Sequence, residues 1–332
     1  MKEIVIAIPR FALSGGNLVS LNLALYLHNN GFKIYACSGF TKKTITEVQL
    51  LRHERGVLNS LLNILSFLNL SLYSLFCRNF IATHHLTSIF NWIKPSRFAL
   101  VQDIESQFYP KKLRVIGNVL WHNYLKAKCL IYTNEFLAKK IGGHFEDSYG
   151  FAYIDNDIEK SNVTKDNDKF STALLILRDG KYKGYEETIS LFEHLNSVGI
   201  KTFLINQSRS DIISDYQSNI KSGLPRDLFL EFMNHTEYFI CLSQWEGLGL
   251  PNLEAFSLGK KIVSAPIPSA LILHKEYPDC ISLDTTFENI TNIISNEKLK
   301  NNAGKSNFLN EQNQNWLNYV LNFVSTELNN AR

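Results

Sequence analysis

Residues 238–256 read YFICLSQWEGLGLPNLEAF, and this stretch decides the fold because it runs from a predicted strand through a loop into a predicted helix. Residues 238–242 form an apolar run typical of a buried strand, and Pro251 stands where a helix would begin. Gly247 and Gly249 let the backbone of the loop approach a ligand closely. Such a loop, leading into a helix N-terminus, offers N–H groups and a positive dipole end to an anion.

Short apolar runs and helical stretches alternate on both sides of this stretch. Strands that alternate with helices predict the α/β class, in which a parallel sheet is covered by helices on both faces. The predicted strands are 3–8, 33–37, 80–83, 98–101, 129–132, 173–177, 202–205, 238–242 and 261–264. The predicted helices are 17–30, 58–76, 134–141, 185–197, 226–234, 252–258 and 314–328.

The length of the chain indicates two domains. Its 332 residues exceed the size at which a single hydrophobic core stops growing, roughly 250 to 300 residues. Residues 155–169 consist mainly of Asp, Asn, Lys and Ser, as linkers do. We therefore predict a first domain over 1–154, the linker, a second doubly wound domain over 170–312 and a closing helix within 313–332. Ligands bind beyond the carboxyl ends of parallel strands, so two such sheets would face one shared cleft.

The composition excludes several classes of protein. Apolar residues make up 45% and charged residues 20%, which excludes a disordered, collagen-like or repeat-array chain. The five cysteines are widely spread without a C-x-x-C pair, so neither a disulfide framework nor a zinc site is favoured. The apolar run 4–8 is too short for a signal peptide. We therefore expect a cytoplasmic protein.

The net charge of +3 conceals an asymmetry between the two halves. Residues 1–154 carry 17 Lys and Arg against 8 Asp and Glu, or +9, whereas residues 155–332 carry 17 against 23, or −6. A basic first half suggests an anionic partner, such as a phosphate-bearing acceptor or an anionic membrane surface. Solvated surface charge would give the same composition.

Residues 57–77 form a run of 21 residues without a charge, which is long enough to span a membrane. Seven of them are Asn or Ser, recurring mostly at steps of three or four. This spacing describes an amphipathic helix with an uncharged polar stripe. A helix packed in the domain is the favoured interpretation, and a helix on a membrane surface or a true span are the alternatives.

Two further loops follow predicted strands. Arg178 and Lys183 stand five residues apart after strand 173–177, so a guanidinium and an ammonium can converge on one diphosphate. Gly15 and Gly16 follow the first strand, but G-x-G-x-x-G is absent and no acidic residue ends the second strand, which excludes a dehydrogenase fingerprint. Each loop could bind a ligand or be only a solvated turn.

Four side chains are candidates for contacts with hydroxyl groups. Glu254, predicted in the first helical turn, could accept hydrogen bonds from the vicinal hydroxyls of a ribose, and Glu246 could contact a sugar hydroxyl. His85 and Asp103 follow predicted strands of the first domain, where either could orient an acceptor hydroxyl or act as a base. Either could also be an ordinary polar residue of the surface. The D-x-D matches at 155–157 and 166–168 are what chance supplies in an Asp-rich linker, so no metal site is predicted.

Together, the Gly-Gly turn, the Arg/Lys pair and the two glutamates around a glycine loop resemble the GT-B glycosyltransferases, most closely the retaining enzymes of family 4. The most specific part runs from Glu246 to Glu254, with Gly259 after it. Residues 100–110, LVQDIESQFYP, also resemble a segment of rhamnosyltransferase-like members that build bacterial surface polysaccharides. The resemblance spans both domains and implies two Rossmann-like domains that face a central cleft.

The resemblance implies transfer of a sugar from a nucleoside-diphosphate sugar to a hydroxyl of a glycan or lipid-linked saccharide. It implies no metal or other cofactor and no nucleic-acid partner. Arg178 and Lys183 would bind the donor diphosphate, Glu246 the transferred sugar and Glu254 the donor ribose. Other donor-side or acceptor-side contacts would come from Gly15, Gly16, Gly247, Leu248, Gly249 and Leu250.

Residues 260–268, KKIVSAPIP, depart from the family pattern, which usually continues with Pro and later Gly-Gly. This departure affects the loop nearest to the sugar. Two alternatives therefore stay open: an epimerase or phosphorylase on the same fold, and a non-catalytic subunit that binds a nucleotide sugar within a larger synthase.

Overall fold

The computed structural model describes residues 2–39, 41–51, 56–154, 173–208, 210–301 and 306–330. The chain divides into two compact units, Met1–Ile154 with Glu311–Arg332 and Asp155–Asn310. Each unit is built on one six-stranded sheet. The predicted linker 155–169 lies outside the described residues.

The first unit contains a doubly wound sheet with the strand order β3-β2-β1-β4-β5-β6. All neighbouring pairs except β2 and β3 are parallel. The central strand β1 is buried almost throughout, as its continuous apolar sequence predicts. The strands are β1 (Glu3–Ala7), β2 (Lys33–Ser38), β3 (Thr41–Thr44), β4 (Phe80–Ala82), β5 (Phe98–Val101) and β6 (Cys129–Tyr132).

The edge strand β3 departs from the predicted all-parallel sheet. It runs antiparallel to β2, with Tyr35 opposite Thr44. Only residues 39 and 40 separate the two strands, and a parallel crossover needs a dozen residues or more. Gly39 has φ +58°, a left-handed conformation that suits this tight turn. The sequence prediction missed the strand because TKKT is polar and mostly exposed.

Helices cover the sheet of the first unit, and the last helix of the chain returns to it. Trp316 of this last helix is fully buried, and its indole Nε1 donates a hydrogen bond to the Tyr132 carbonyl at 2.8 Å. The helices are α1 (Gly15–Asn29), α2 (Val57–Phe76), α3 (Arg114–Tyr124), α4 (Glu135–Ile141) and, after the second unit, α10 (Ser306–Asn330). The sequence prediction did not contain α3.

The second unit repeats the same strand order, with β12-β11-β10-β7-β8-β9 all parallel. One hydrophobic core of this unit lies between the sheet and the helices α5 and α9. The strands are β7 (Ala173–Leu177), β8 (Thr202–Asn206), β9 (Ile220–Ser222), β10 (Tyr238–Cys241), β11 (Lys261–Ser264) and β12 (Ile281–Ser282). The helices are α5 (Tyr185–Ser197), α6 (Arg226–Asn234), α7 (Leu250–Ser257), α8 (Pro268–Glu276) and α9 (Phe287–Ser295).

Both units therefore carry a point at which the chain reverses its direction of winding. The chain moves outward from β1 to β3 and then returns to place β4 on the other side of β1, and β7 and β10 have the same relation. Ligands of doubly wound sheets bind in the crevice beyond the carboxyl ends of such a strand pair. The loops that follow β7 and β10, and those that follow β1 and β4, are therefore the places to look for a site.

Candidate functional site

The loops after β7 and β10 bring together three of the predicted site residues. The Arg178 guanidinium donates to the Ser243 hydroxyl at 2.9 Å and forms an ion pair with one carboxylate oxygen of Glu246. The Lys183 ammonium donates to the other Glu246 oxygen at 2.5 Å. Glu246 is only 7% exposed. Two cations that are five residues apart in sequence thus converge on a single buried carboxylate.

The charges of this cluster, which we call the 178–183–246 triad, favour an anionic ligand. Burial raises the pKa of Glu246, but the Arg178 and Lys183 charges outweigh burial and bring this pKa below its usual range. Two cations and one carboxylate leave a net charge of about +1 at neutral pH. The buried Nε of Arg178 has no hydrogen-bond partner among the described residues. A phosphate group would supply the missing negative charge and further acceptors.

The two loops are fastened to each other by the backbone. The Gln244 N–H donates to the Tyr182 carbonyl at 2.8 Å, which joins the β10 loop to the β7 loop. Gly184 has φ +68°, and a Cβ atom there would lie 2.5 Å from the Leu242 carbonyl oxygen. Only glycine fits this position without a shift of backbone. The cations are therefore held in place by chain geometry as well as by Glu246.

The glycine loop of residues 247–249 is buried and packs on the start of α8. The Ser269 N–H donates to the Leu248 carbonyl at 2.8 Å. Gly249 has φ +94°, and a Cβ atom there would lie 2.6 Å from the Ser269 hydroxyl and 2.7 Å from Ile267 Cδ1. The tight packing explains why a glycine is needed at 249. It also places the segment 260–268, which differs from the family pattern, beside this loop.

Alanine at position 249 is expected to destabilise the protein by about 2 to 4 kcal/mol, through backbone strain and displacement of Ser269 and Ile267. The matched control is Gly199→Ala, where φ is +82° and no atom lies within 4 Å of the added Cβ. Chemical denaturation measures both variants. Equal losses at 249 and 199 would show that the packing against Ser269 contributes nothing.

The position of Glu254 differs from the prediction. Helix α7 begins at Leu250, two residues earlier than predicted, so Glu254 is its fifth residue and lies in the second turn, not the first. Glu254 is only 3% exposed, and its carboxylate forms an ion pair with Arg226, the first residue of α6. The structure pairs Arg178 with Glu246, and Glu254 with Arg226.

Sequence reasoning missed Arg226. Its only local signal is its place after Pro225 at the start of a predicted helix, and nothing in the sequence links it to Glu254, 28 residues later. The link arises because α6 packs against α7. The buried Nε of Arg226 also has no hydrogen-bond partner within the described part of the chain. Arg226 is therefore a further cation next to α7, the helix that follows the glycine loop.

In the first unit, His85 is buried in a hydrogen-bond chain after β4. Its Nδ1 lies 2.5 Å from a carboxylate oxygen of Glu105, which also accepts from the His85 backbone N–H at 2.6 Å. Its Nε2 lies 2.6 Å from the Tyr109 hydroxyl. Burial and the Glu105 charge raise the pKa of Tyr109, so this phenol stays protonated. Both ring nitrogens of His85 are thus already bonded.

Asp103 and the Gly15-Gly16 pair lie at other loops on the same sheet. The Asp103 carboxylate accepts the Ile104 N–H at 2.7 Å, and its side chain is partly exposed. Gly15 and Gly16 open α1, and a Cβ atom at Gly16 would lie 3.2 Å from the Gln102 amide oxygen. Because Gly16 has no side chain, the Gln102 side chain can pack directly against it.

His84, His85 and Glu105 place three potential metal-ligand atoms within 4.8 Å of one another. Both ring nitrogens of His85 are bonded as described, and Nδ1 of His84 accepts the Leu86 N–H at 3.2 Å. A metal ion bound by all three residues would have to displace one of the His85 ring bonds. The cluster is better described as a hydrogen-bond network.

Comparisons with known proteins agree with this architecture. No protein-family model matches the sequence, and no curated protein matches it in sequence. Among solved structures, AviGT4, a glycosyltransferase involved in avilamycin A biosynthesis, is similar with a TM-score of 0.59 at 11% identity, over 99% of this chain and 98% of that one. WaaG, a glycosyltransferase involved in lipopolysaccharide biosynthesis, has a TM-score of 0.53 at 14% identity, over 97% of this chain and 95% of that one. MnaA of S. aureus, solved with UDP, has a TM-score of 0.53 at 11% identity, over 99% of this chain and 97% of that one.

The chain has the GT-B fold: two α/β units with six-stranded, largely parallel sheets in the Rossmann order. The fold class predicted from the sequence is thereby confirmed. Gly247, Leu248 and Gly249 lie in the loop between β10 and α7, as predicted, whereas Leu250 is the first residue of α7. Their contacts with a donor, and the roles of the other site residues, stay predictions.

Proposed function

We propose that the protein transfers a glycosyl group from a nucleoside-diphosphate sugar to a hydroxyl of a glycan or lipid-linked saccharide. The observation that carries this proposal is the convergence of Arg178 and Lys183 between β7 and β10 of the second unit. Donor nucleotides of doubly wound sheets bind at such a strand pair. MnaA, which has the same fold, was solved with UDP, so UDP is the first nucleotide to test.

The triad would act on the leaving group. As the bond between the sugar and the diphosphate breaks, negative charge grows on the diphosphate and the sugar becomes oxocarbenium-like. Arg178 and Lys183 are already fixed by Glu246 and Ser243, so they need little reorganisation to stabilise that charge. A bound diphosphate would compete with Glu246 for the two cations, which would free this carboxylate to accept a hydrogen bond from the transferred sugar.

The finer parts of the proposal concern mechanism, cofactor and pathway. We propose that two fixed cations serve in place of a metal ion, and that the acceptor attacks from the leaving-group side, with retention of configuration. Asp103 is the better placed acceptor-side base, because its side chain is partly exposed whereas His85 is buried. We also propose that the protein acts in the cytoplasm in the synthesis of a bacterial surface polysaccharide; the likeness to WaaG, which is involved in lipopolysaccharide biosynthesis, supports the polysaccharide part of this proposal.

Purified protein incubated with UDP-, GDP- and dTDP-sugars is expected to transfer sugar only when an acceptor glycan is present, and EDTA is expected to leave the rate within about twofold. Mass spectrometry of the products gives the readout. Sugar isomerised without acceptor would favour an epimerase, and binding without turnover would favour a non-catalytic subunit. A rate abolished by EDTA and restored by Mg²⁺ would contradict metal independence.

A thermal-shift screen against the same panel of nucleotide sugars identifies the donor first. A ligand that binds the native state raises its melting temperature by mass action. No shift with any nucleotide sugar would remove the basis of the proposal.

A further inference from the structure

Helix α2 turns its polar side towards the first unit. The Ser71 hydroxyl donates to the Leu86 carbonyl at 3.0 Å and accepts from the Ile89 N–H at 2.7 Å. The Arg10 guanidinium donates to the Asn59 carbonyl at 3.1 Å. The buried residues of the helix are Ser66, Leu70, Ser71 and Ser74. The C-terminal half of the predicted polar stripe therefore packs inward through its serines, which reverses the usual arrangement of a surface helix.

The opposite side of α2 exposes a continuous apolar stripe. At 100° per residue, its members span an arc of about 160° on the helix. Isolated exposed apolar residues are ordinary, but a contiguous stripe of this size marks an interaction surface. The large apolar side chains that are at least 41% exposed are Val57, Leu58, Leu61, Leu62, Ile64, Leu65, Leu68, Leu72 and Phe76.

A second apolar surface lies on α3 and on the segment 86–93. Trp92 is 67% exposed, and it lines an open groove of about 520 Å³ together with Val115, Val119 and Lys126. Residues 86–93 connect the two surfaces, because Ser71 of α2 holds Ile89 from one side and the Asn123 amide of α3 donates to the Ile89 carbonyl at 2.7 Å from the other.

The part of the chain that carries these surfaces has an excess of positive charge. Residues 56–128 contain eight Lys and Arg against two acids, a net charge of +6. Of the two acids, Glu105 is buried against His85. The exposed cations are Arg78, Lys94, Lys111, Lys112, Arg114, Lys126 and Lys128. Lys94 donates to the Leu75 carbonyl of α2, and Lys126 lines the groove beside Trp92, so a cation borders each apolar surface. Apolar side chains bordered by cations complement an anionic lipid surface.

We infer that the outer sides of α2 and α3, with Trp92 and Ile93 between them, dock the first unit onto an anionic bilayer. This inference concerns a surface of the first unit and goes beyond the proposed donor chemistry of the second. A second copy of the chain would be a poor occupant, because a symmetric contact would bring together the same excess of positive charge from both copies.

Helix α2 lies in the plane of the membrane and does not cross it. By length and composition alone it is a helix that could span. The hydrogen bonds from Arg10 and Ser71 fix its polar side to the domain, and lipid on all sides would break them. Its apolar side chains would enter the bilayer to a depth of roughly 5 to 10 Å, with the cations at the headgroups.

Co-sedimentation with vesicles of phosphatidylcholine containing about 30% phosphatidylglycerol tests this surface. The double variant Leu61→Gln/Leu65→Gln is expected to weaken vesicle binding about tenfold or more, because two apolar side chains no longer enter the lipid. The matched control, Val198→Gln/Ile213→Gln, replaces exposed apolar residues of the second unit and should stay within about twofold of the parent protein. Raising the salt from about 0.05 to 0.5 M should also weaken binding.

Three results would overturn the inference: no binding to the anionic vesicles, binding that the α2 variant retains in full, or a dimer in sedimentation that the α2 variant dissociates. A thermal shift with UDP is measured on the same variants. Lost vesicle binding with an unchanged nucleotide shift supports the docking surface. A parent protein that binds vesicles but no nucleotide would leave this surface standing while removing the proposed function.

Discussion

Alanine in place of Arg178 is expected to lower kcat/KM for sugar transfer by about 100-fold or more, because the departing diphosphate loses one of its two fixed cations. Lys183→Ala should act in the same direction. Initial rates with saturating acceptor and a varied donor measure both. Most of the loss should appear in kcat, because charge on the diphosphate is greatest in the transition state.

The fold should survive either single substitution. Glu246 keeps one cation in each variant, so its buried carboxylate is never left unpaired. The double variant Arg178→Ala/Lys183→Ala removes both cations, and it is expected to cost about 3 to 5 kcal/mol of stability. Comparing single and double variants by denaturation therefore separates the catalytic role of the cations from their structural role.

Lys181→Ala is the matched control for charge. Lys181 lies in the same turn between the two cations but is exposed, and its removal changes the net charge by the same amount. It should keep the transfer rate within about threefold of the parent enzyme. If Arg178→Ala and Lys183→Ala behave like Lys181→Ala, the triad does not contact the leaving group.

The triad could be predicted from sequence because its members follow two strands that a doubly wound sheet makes adjacent. Arg178 follows β7 directly and Glu246 follows β10, and the order of the sheet places these strands side by side. Glycines at 180, 184, 247 and 249 mark the turns of these two loops. Those at 180, 184 and 249 have the positive φ that glycine adopts most easily. Local patterns are informative where chain topology alone sets the contact.

Sequence reasoning failed where a contact depends on packing between helices or on which side of a helix faces inward. Arg226 reaches Glu254 only because α6 packs against α7. The periodicity of α2 predicted its two sides, but not that the Ser side would be the buried one. Glu105, and not Asp103, bonds to His85, although both follow the same strand. Spacing along the chain does not distinguish between neighbours two residues apart in a loop.

Glutamine in place of Glu254 is expected to weaken binding of UDP by about 10-fold to 100-fold while changing stability by less than about 1 kcal/mol. The amide keeps an oxygen that Arg226 can reach, so the partly buried guanidinium stays partnered, but the charged acceptor for ribose hydroxyls is lost. Arg226→Ala should instead destabilise the protein by about 3 kcal/mol or more, because it leaves the Glu254 carboxylate buried and alone. Calorimetric titration and denaturation measure the two effects.

A cycle with a modified nucleotide decides whether Glu254 contacts the ribose or only supports α6. UDP and 3′-deoxy-UDP are titrated into the parent protein and into Glu254→Gln. If the carboxylate accepts from the 3′-hydroxyl, the parent protein should prefer UDP by about tenfold or more, and the variant should lose most of that preference. A preference that survives in full in Glu254→Gln would assign the carboxylate to the Arg226 ion pair alone. Glu231→Gln, on the outer side of α6, is the control for the loss of one acidic charge and should keep the parent preference.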